Sequence, residues 1–186
     1  MREILRKYPK CEFGRELFPG NPIPILRVSG GKTTADVADW GYLTQKGKRV
    51  YNARSETLLE KPLFGKDFVQ NRCVIPVTGF CEWDGDGTGW DFLPQEEEML
   101  YLAGFCRKKT EGWEATVVTE HASGCVGEIH HRTPLILSGE NLRQWLYDEG
   151  QARQFLEEAK ERVLLKRKKM EGETFHLLPF EQYPFF

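Results

Sequence analysis

The stretch Cys73-Val74-Ile75-Pro76-Val77-Thr78-Gly79-Phe80-Cys81-Glu82-Trp83 contains two apolar runs on either side of a kink, and each run predicts a short strand. Further runs of this kind lie at Leu100–Cys106, Glu114–Thr119 and Pro134–Leu137. Fewer segments have a helical pattern. Many short strands with a few helices predict an α+β class with a curled or barrel-like sheet.

The helical patterns near the end of the chain cover residues 139–148 and 151–169, and the second ends in Lys166-Arg167-Lys168-Lys169. Cations at that place complement the dipole of a helix, so we interpret this run as a solvated helix end. Residues 1–10 read as the tail of an amphipathic helix, and Thr174–Leu178 reads as a strand.

The composition fits one globular domain, because the chain has 186 residues, of which 40% are hydrophobic and 12% aromatic. The formal net charge of −2 argues against a strongly basic duplex binder, although a local cluster of cations could still attract nucleic acid. None of the five cysteines has C-x-x-C spacing, which indicates a reduced, intracellular protein. No apolar signal core or membrane span is present in the sequence, so we expect a cytoplasmic protein without a membrane partner.

Glu82 is the first candidate for proton transfer, because it lies between Cys81 and Trp83 in an apolar strand. Burial disfavours the charged form of a carboxylate and should raise its pKa, so that Glu82 could donate or accept a proton near neutral pH. The alternative is a carboxylate at the strand edge that faces water.

His130 is the second candidate, in the segment His130-His131-Arg132-Thr133-Pro134. An imidazole titrates near neutral pH, so one of the two histidines could act as a proton shuttle. The alternative is a pair of loop histidines, one exposed and one filling space. No third ligand follows at metal-site spacing, so we expect neither a metal nor a cofactor.

Asn52 and Arg54 alternate along a predicted strand and therefore share one face, whereas Ala53 should point inward. An amide and a guanidinium two residues apart can hold a phosphate or a sugar, and the alternative is a solvated strand face.

Other basic and aromatic residues could extend this surface. Arg72 and Arg132 could continue a basic track, with Trp40 as a stacking platform. Basic groups interleaved with aromatic rings are typical of single-stranded nucleic-acid binding, although core packing explains most single aromatic residues.

Several motifs occur in one order along the chain. They are Trp40-Gly41, Asn52-Ala53-Arg54-Ser55-Glu56-Thr57, Lys61-Pro62-Leu63-Phe64, Arg72-Cys73-Val74-Ile75-Pro76, Gly79-Phe80-Cys81-Glu82-Trp83, Ala103-Gly104-Phe105, Ile129-His130-His131-Arg132-Thr133-Pro134-Leu135-Ile136-Leu137 and Trp145-Leu146. In order and spacing this set resembles the SOS-response-associated peptidase family, also known as abasic-site-processing proteins.

The resemblance implies a single domain with a curled, barrel-like, mostly antiparallel β core, flanking helices and a positively charged groove for single-stranded DNA. Members of this family recognise abasic sites in single-stranded DNA during DNA damage repair. Their N-terminal cysteine forms a Schiff base with the open sugar through its amine, and its thiol closes the adduct to a thiazolidine. The peptidase name reflects a related self-processing of the N-terminus. We expect a monomer without a cofactor.

By motif match, the resemblance implies catalytic roles for three residues. Glu82 takes the acid–base position, and His130 assists proton transfer and crosslink reversal. Asn52 positions the amine and the sugar. Among the predicted DNA-binding residues, which also include Arg72 and Arg132, Arg54 grips a phosphate and Trp40 lines the groove.

The beginning of the sequence departs from the family pattern. The family begins Met-Cys-Gly-Arg, whereas this sequence begins Met1-Arg2-Glu3-Ile4. We therefore expect the domain over residues 1–186 to lack the family's N-terminal strand, either because the start lies upstream or because this is a variant without the nucleophile. Hydrolase and lyase-type chemistry follow from the first reading. The second predicts a non-covalent module for single-stranded DNA, and a third predicts a hydrolase pair in a deep pocket, unrelated to DNA.

Overall fold

A computed structural model describes residues 17–96, 98–157 and 164–170 of the chain. The strands are β1 Pro22–Ser29, β2 Lys32–Trp40, β3 Tyr42–Leu43, β4 Arg49–Val50, β5 Asn52–Arg54, β6 Arg72–Val77, β7 Phe80–Trp83, β8 Gly89–Pro94, β9 Leu100–Lys108, β10 Trp113–His121, β11 Arg132–Pro134, β12 Ile136–Leu137 and β13 Leu165–Lys169. The helices are η1 Leu58–Glu60, a 3-10 helix, and α1 Gly65–Gln70, α2 Gly124–Gly127, α3 Asn141–Tyr147 and α4 Glu149–Glu157. The residues predicted as an N-terminal helix (1–10) and a C-terminal strand (174–178) lie outside the described ranges.

Five strands close into a barrel, because β1, β2, β10, β9 and β6 pair in a ring and β6 returns to β1. All of these pairings are antiparallel except that of β2 with β10. Closure removes the open edges that a flat sheet of these strands would expose. The predicted α+β class with a curled, mostly antiparallel core is therefore confirmed.

Alternation along the strands divides the apolar side chains into two cores. The inner core contains Ile23, Ile25, Ala38, Cys73, Ile75, Leu100, Leu102, Cys106, Ala115 and Val117. The outer core includes Val74, Phe105 and Val118 from the strands and Phe68, Trp145 and Phe155 from the helices. Helices α1, α3 and α4 thus cover one outer face of the barrel. None of the helices among the described residues is long and apolar enough to span a bilayer.

A second sheet, in the order β13, β8 and β7, packs against the inner core through Phe80 and Leu165. Phe80 lies opposite Phe92 of β8, and the two rings stack with centroids 5.1 Å apart. Gly79 permits this approach, because a Cβ there would lie 2.7 Å from the carbonyl oxygen of Phe92. The sheet therefore lies at the end of the barrel where β6 leads into β7.

The predicted helix over residues 151–169 is confirmed for residues 151–157 and wrong for residues 165–169. Residues 165–169 form β13, which pairs antiparallel with β8 from Leu165 opposite Pro94 to Lys169 opposite Trp90. Pairing with β8 and the contact of Leu165 with the inner core outweigh the local helical pattern. The lysine-rich run is consequently an exposed edge strand and not a helix end.

Candidate functional site

Glu82 occupies the face of β7 that is turned towards the barrel. Phe80, two residues earlier on the same face, packs against the inner core, and Glu82 itself is only 5% exposed. The reading of Glu82 as a water-facing residue is therefore excluded. Burial raises the pKa of Glu82 to about 8, so the carboxyl group is mostly protonated at neutral pH.

His130 lies just beyond α2, where its backbone N–H donates to the carbonyl of Val126. Its Nδ1 lies 3.0 Å from the carbonyl oxygen of Arg132 and 3.2 Å from the backbone nitrogen of Arg132. One tautomer donates to that carbonyl, and the other accepts from that N–H. The backbone of Arg132 thus fixes the orientation of the imidazole.

Glu82 and His130 come together although they belong to different elements. The Oε2 of Glu82 lies 3.6 Å from the Nδ1 of His130, and their side chains are 7% and 10% exposed. This separation exceeds a direct hydrogen bond, so a small shift is needed before a proton can pass between them. A protonated carboxyl group beside an imidazole supplies a proton donor and a proton acceptor in one buried place.

The strand β5 brings the second predicted motif to the same end of β10. Asn52 lies opposite Val117 and Arg54 lies opposite Thr119, in a parallel pairing. Thr119 pairs on its other edge with Pro134 of β11, the strand that follows His130. The two motifs are therefore separated by a single strand.

The predicted alternation on β5 is confirmed by burial. Ala53 is 1% exposed and belongs to the outer core, whereas Arg54 is exposed. The amide nitrogen of Asn52 is buried and has no hydrogen-bond partner among the described residues. A buried amide donor without a partner is costly, which suits a group that binds a ligand.

Arg132 is buried and holds a carboxylate in the described structure. Its two terminal nitrogens donate to Glu56 at 2.6 and 3.0 Å, and one of them also donates to the carbonyl of Thr119 at 2.6 Å. Burial raises the pKa of Glu56, but hydrogen bonding and the charge of Arg132 outweigh this and lower it overall. No role for Glu56 was predicted from the sequence, although it lies in the same motif as Asn52 and Arg54.

The side chains of Arg72 and Trp40 both donate hydrogen bonds within the protein. Arg72 is 8% exposed and donates to the carbonyls of Trp145, Phe68 and Val69. The indole of Trp40 donates to the carbonyl of Tyr51 and is half-buried. For Arg72, Trp40 and Arg132 a contact with DNA stays a prediction.

A further ionic cluster, which no local pattern in the sequence indicates, surrounds Glu114 on β10. This fully buried carboxylate lies 2.6 Å from Arg107, 3.3 Å from Lys109 and 3.9 Å from Arg49. It also accepts the backbone N–H of Leu43 at 3.2 Å. The cluster becomes visible only in the folded structure, where residues from several elements surround the buried Glu114 side chain. Within the described ranges, no three His, Cys, Asp or Glu side chains are placed to share a metal ion.

The sequence matches a family model, described as SOS response associated peptidase (SRAP), over residues 7–176. The abasic site processing protein YoqW of Bacillus subtilis is 32% identical over 119 residues, which are 59% of this chain and 53% of that protein. The abasic site processing protein YoaM of the same organism is 27% identical over 173 residues, which are 83% of this chain and 76% of that protein. The chain thus spans about half the length of YoqW.

Solved structures with low sequence identity have the same fold. A protein from Bordetella bronchiseptica superposes with a TM-score of 0.74 at 21% identity, over 90% of this chain and 94% of that chain. A protein from Bacteroides thetaiotaomicron superposes with a TM-score of 0.68 at 21% identity, over 83% of this chain and 75% of that chain. The fold of this chain therefore occurs in other proteins.

Proposed function

Because this chain belongs to the SOS response associated peptidase family, we propose that it processes abasic sites in single-stranded DNA, with Glu82 and His130 as its proton-transfer pair. The observation that carries the proposal is the buried Glu82 carboxyl group, 3.6 Å from His130. The names of the relatives supply the substrate class, since YoqW and YoaM are abasic site processing proteins.

The chemistry of an abasic site explains why such a pair is useful. The ring-opened sugar carries an aldehyde, and attack by a protein amine gives a carbinolamine. Loss of water then gives an imine: the C–O bond breaks, the hydroxyl leaves with an added proton, and the nitrogen loses a proton. Glu82, protonated at neutral pH, can donate to the departing hydroxyl, and His130 can accept the proton that the nitrogen releases.

The residues of β5 complete the proposed site. The partnerless amide nitrogen of Asn52 would donate to the sugar, and the exposed Arg54 would contact a neighbouring phosphate. We extend the proposal to self-processing of an N-terminus, because amide cleavage also needs a proton donor for the leaving group. Closure of an imine to a thiazolidine additionally needs a cysteine thiol beside the attacking amine.

The test is incubation of the chain with single-stranded DNA that carries one abasic site, followed by a denaturing gel with and without borohydride reduction. An adduct that appears only after reduction indicates an imine, and an adduct that survives heat without reduction indicates a thiazolidine. We expect Glu82→Gln to slow adduct formation at least about tenfold, whereas DNA affinity is retained. Glu60→Gln, an exposed carboxylate on η1, is the matched control.

Two results would contradict the proposal. Binding of abasic DNA without any adduct would leave a non-covalent module for single-stranded DNA. The absence of a preference for abasic over intact DNA would remove the substrate class itself.

A further inference from the structure

We propose that Glu56 is a positioning residue for His130 and acts through Arg132; the inference rests on the function proposed above. Glu56 and Arg132 lie 76 residues apart in the sequence and are joined by two hydrogen bonds of 2.6 and 3.0 Å. This fork-to-fork arrangement fixes the plane of the guanidinium as well as its distance from the carboxylate. Glu56 therefore determines where the Arg132 side chain lies.

The fixed position of Arg132 in turn restricts the position of the His130 imidazole. Its side chain is 8% exposed and is also held by the carbonyl of Thr119, so it has little freedom to move. Its backbone nitrogen and oxygen are the groups that lie 3.2 and 3.0 Å from the Nδ1 of His130. A displaced guanidinium would shift this short strand and alter the contact that selects the tautomer of His130.

The tautomer matters for the proposed chemistry. When Nδ1 carries the proton and donates to the carbonyl of Arg132, Nε2 is left as the basic nitrogen. When Nδ1 instead accepts the Arg132 N–H, the proton is on Nε2, and the basic nitrogen Nδ1 is already occupied by that hydrogen bond. Glu56 is thus placed to influence which nitrogen of His130 accepts a proton.

The exposure of Glu56 limits what its ion pair with Arg132 can add to stability. The Glu56 side chain is 37% exposed, and ion pairs at partly exposed positions contribute little to stability. Glu56 also lies 3.2 Å from the imidazole of His121, which is 79% exposed. At its buried end the network reaches Arg132, whose backbone contacts His130, and at its exposed end it reaches His121.

The experiment compares Glu56→Gln and Glu56→Asp with Glu149→Gln, which removes a carboxylate from the exposed pair with Arg153 on α4. Three quantities are measured: the rate of borohydride-trapped adduct formation on abasic single-stranded DNA, the Kd for that DNA, and the nitrogen chemical shifts of the His130 imidazole. The thermal midpoint of each variant checks that it is folded.

We expect Glu56→Gln to slow adduct formation about tenfold and to move the His130 nitrogen shifts, with Kd changed less than about twofold. Glu56→Asp should recover part of the rate, and Glu149→Gln should resemble the wild type. Unchanged His130 shifts in a folded Glu56→Gln variant would overturn the inference, as would a Kd that rises in step with the loss of rate. The nitrogen shifts are measured without DNA, so they test Glu56 even when the wild type forms no adduct and the proposed function fails.

Discussion

Arg72 and Trp145 connect the barrel to its helical layer through hydrogen bonds, one donated from each side. The Nε of Arg72 donates to the carbonyl of Trp145 at 2.7 Å, and the indole of Trp145 donates to the carbonyl of Cys73 at 2.9 Å. The other donors of Arg72 reach the carbonyls of Phe68 and Val69 at the end of α1. One guanidinium therefore caps the C-terminal ends of α1 and α3, whose last carbonyls lack partners within their helices.

Arg72→Ala is expected to lower the free energy of unfolding by about 3 kcal/mol, because it leaves several buried carbonyls without a donor. Chemical denaturation of the wild type and the variant measures this change. Arg72→Lys should recover only part of the loss, since an ammonium cannot reproduce the fork of donors. A fully stable Arg72→Ala variant with a reduced salt dependence of DNA binding would instead favour the predicted phosphate contact.

The stability of the protein should fall as pH rises through the pKa of Glu82. In the unfolded chain this carboxyl group ionises near its ordinary pKa of 4.5, whereas in the folded state it holds its proton up to about pH 8. The folded state therefore binds more protons between these values, and its stabilisation is complete below the lower value and lost above the higher one. Each unit of pKa shift corresponds to about 1.4 kcal/mol, so the total change amounts to several kcal/mol.

Glu82→Gln should flatten this pH dependence, because the amide resembles the neutral carboxyl group and does not titrate. Thermal unfolding of both proteins over the range from about pH 5 to pH 9 is the measurement. Parallel curves for the two proteins would show that Glu82 is not the group responsible.

Arg54→Ala is expected to weaken the binding of single-stranded DNA and to reduce the slope of log K against log salt by about 0.7, the value for one phosphate contact on a single strand. Arg54 is exposed on β5, so the substitution should leave the stability almost unchanged. Fluorescence anisotropy at several salt concentrations gives the slope. Lys66→Ala, at an exposed position on α1, is the control, and an equal slope for all three proteins would remove Arg54 from the phosphate contacts.

Glu114→Gln should destabilise the fold by about 2 kcal/mol, because it removes the charge that Arg107, Lys109 and Arg49 share. The value is discounted from that of a fully buried pair, since the three cations are 27% to 38% exposed. Hydrogen bonding and these charges lower the pKa of Glu114 despite the opposing effect of its burial, so the contribution should also fade at acid pH. A variant as stable as the wild type at neutral pH would show that the cluster is neutral for folding.

Local patterns in the sequence predicted the parts of the fold that depend on periodicity. The strands around Val74 and Val117 follow from apolar runs, the inward position of Ala53 follows from alternation, and the structure has all three. Burial of Glu82 was one of two alternatives that its apolar neighbours left open, and the structure has Glu82 buried. These features depend on the types of residues that are neighbours in the chain, so they can be predicted from a single sequence.

Features that depend on distant partners could not be read in the same way. Lys166-Arg167-Lys168-Lys169 resembles a helix end, and only its pairing with β8 makes it a strand. The guanidinium groups of Arg72 and Arg132 look like surface cations until the carbonyls and the carboxylate that they bind are known. The partners of such residues are set by packing between elements that are distant in the sequence. The local alternation of apolar and polar residues does not reveal that packing.

The most direct test of the proposed pair is the pH dependence of the single-turnover rate of adduct formation on abasic single-stranded DNA. The rate should rise with pH while the attacking amine loses its proton and then fall above about pH 8, where Glu82 ionises and can no longer donate. In Glu82→Gln the rate should be low throughout, without the descending limb. A Glu82→Gln variant that reacts at the wild-type rate with the same descending limb would contradict the account.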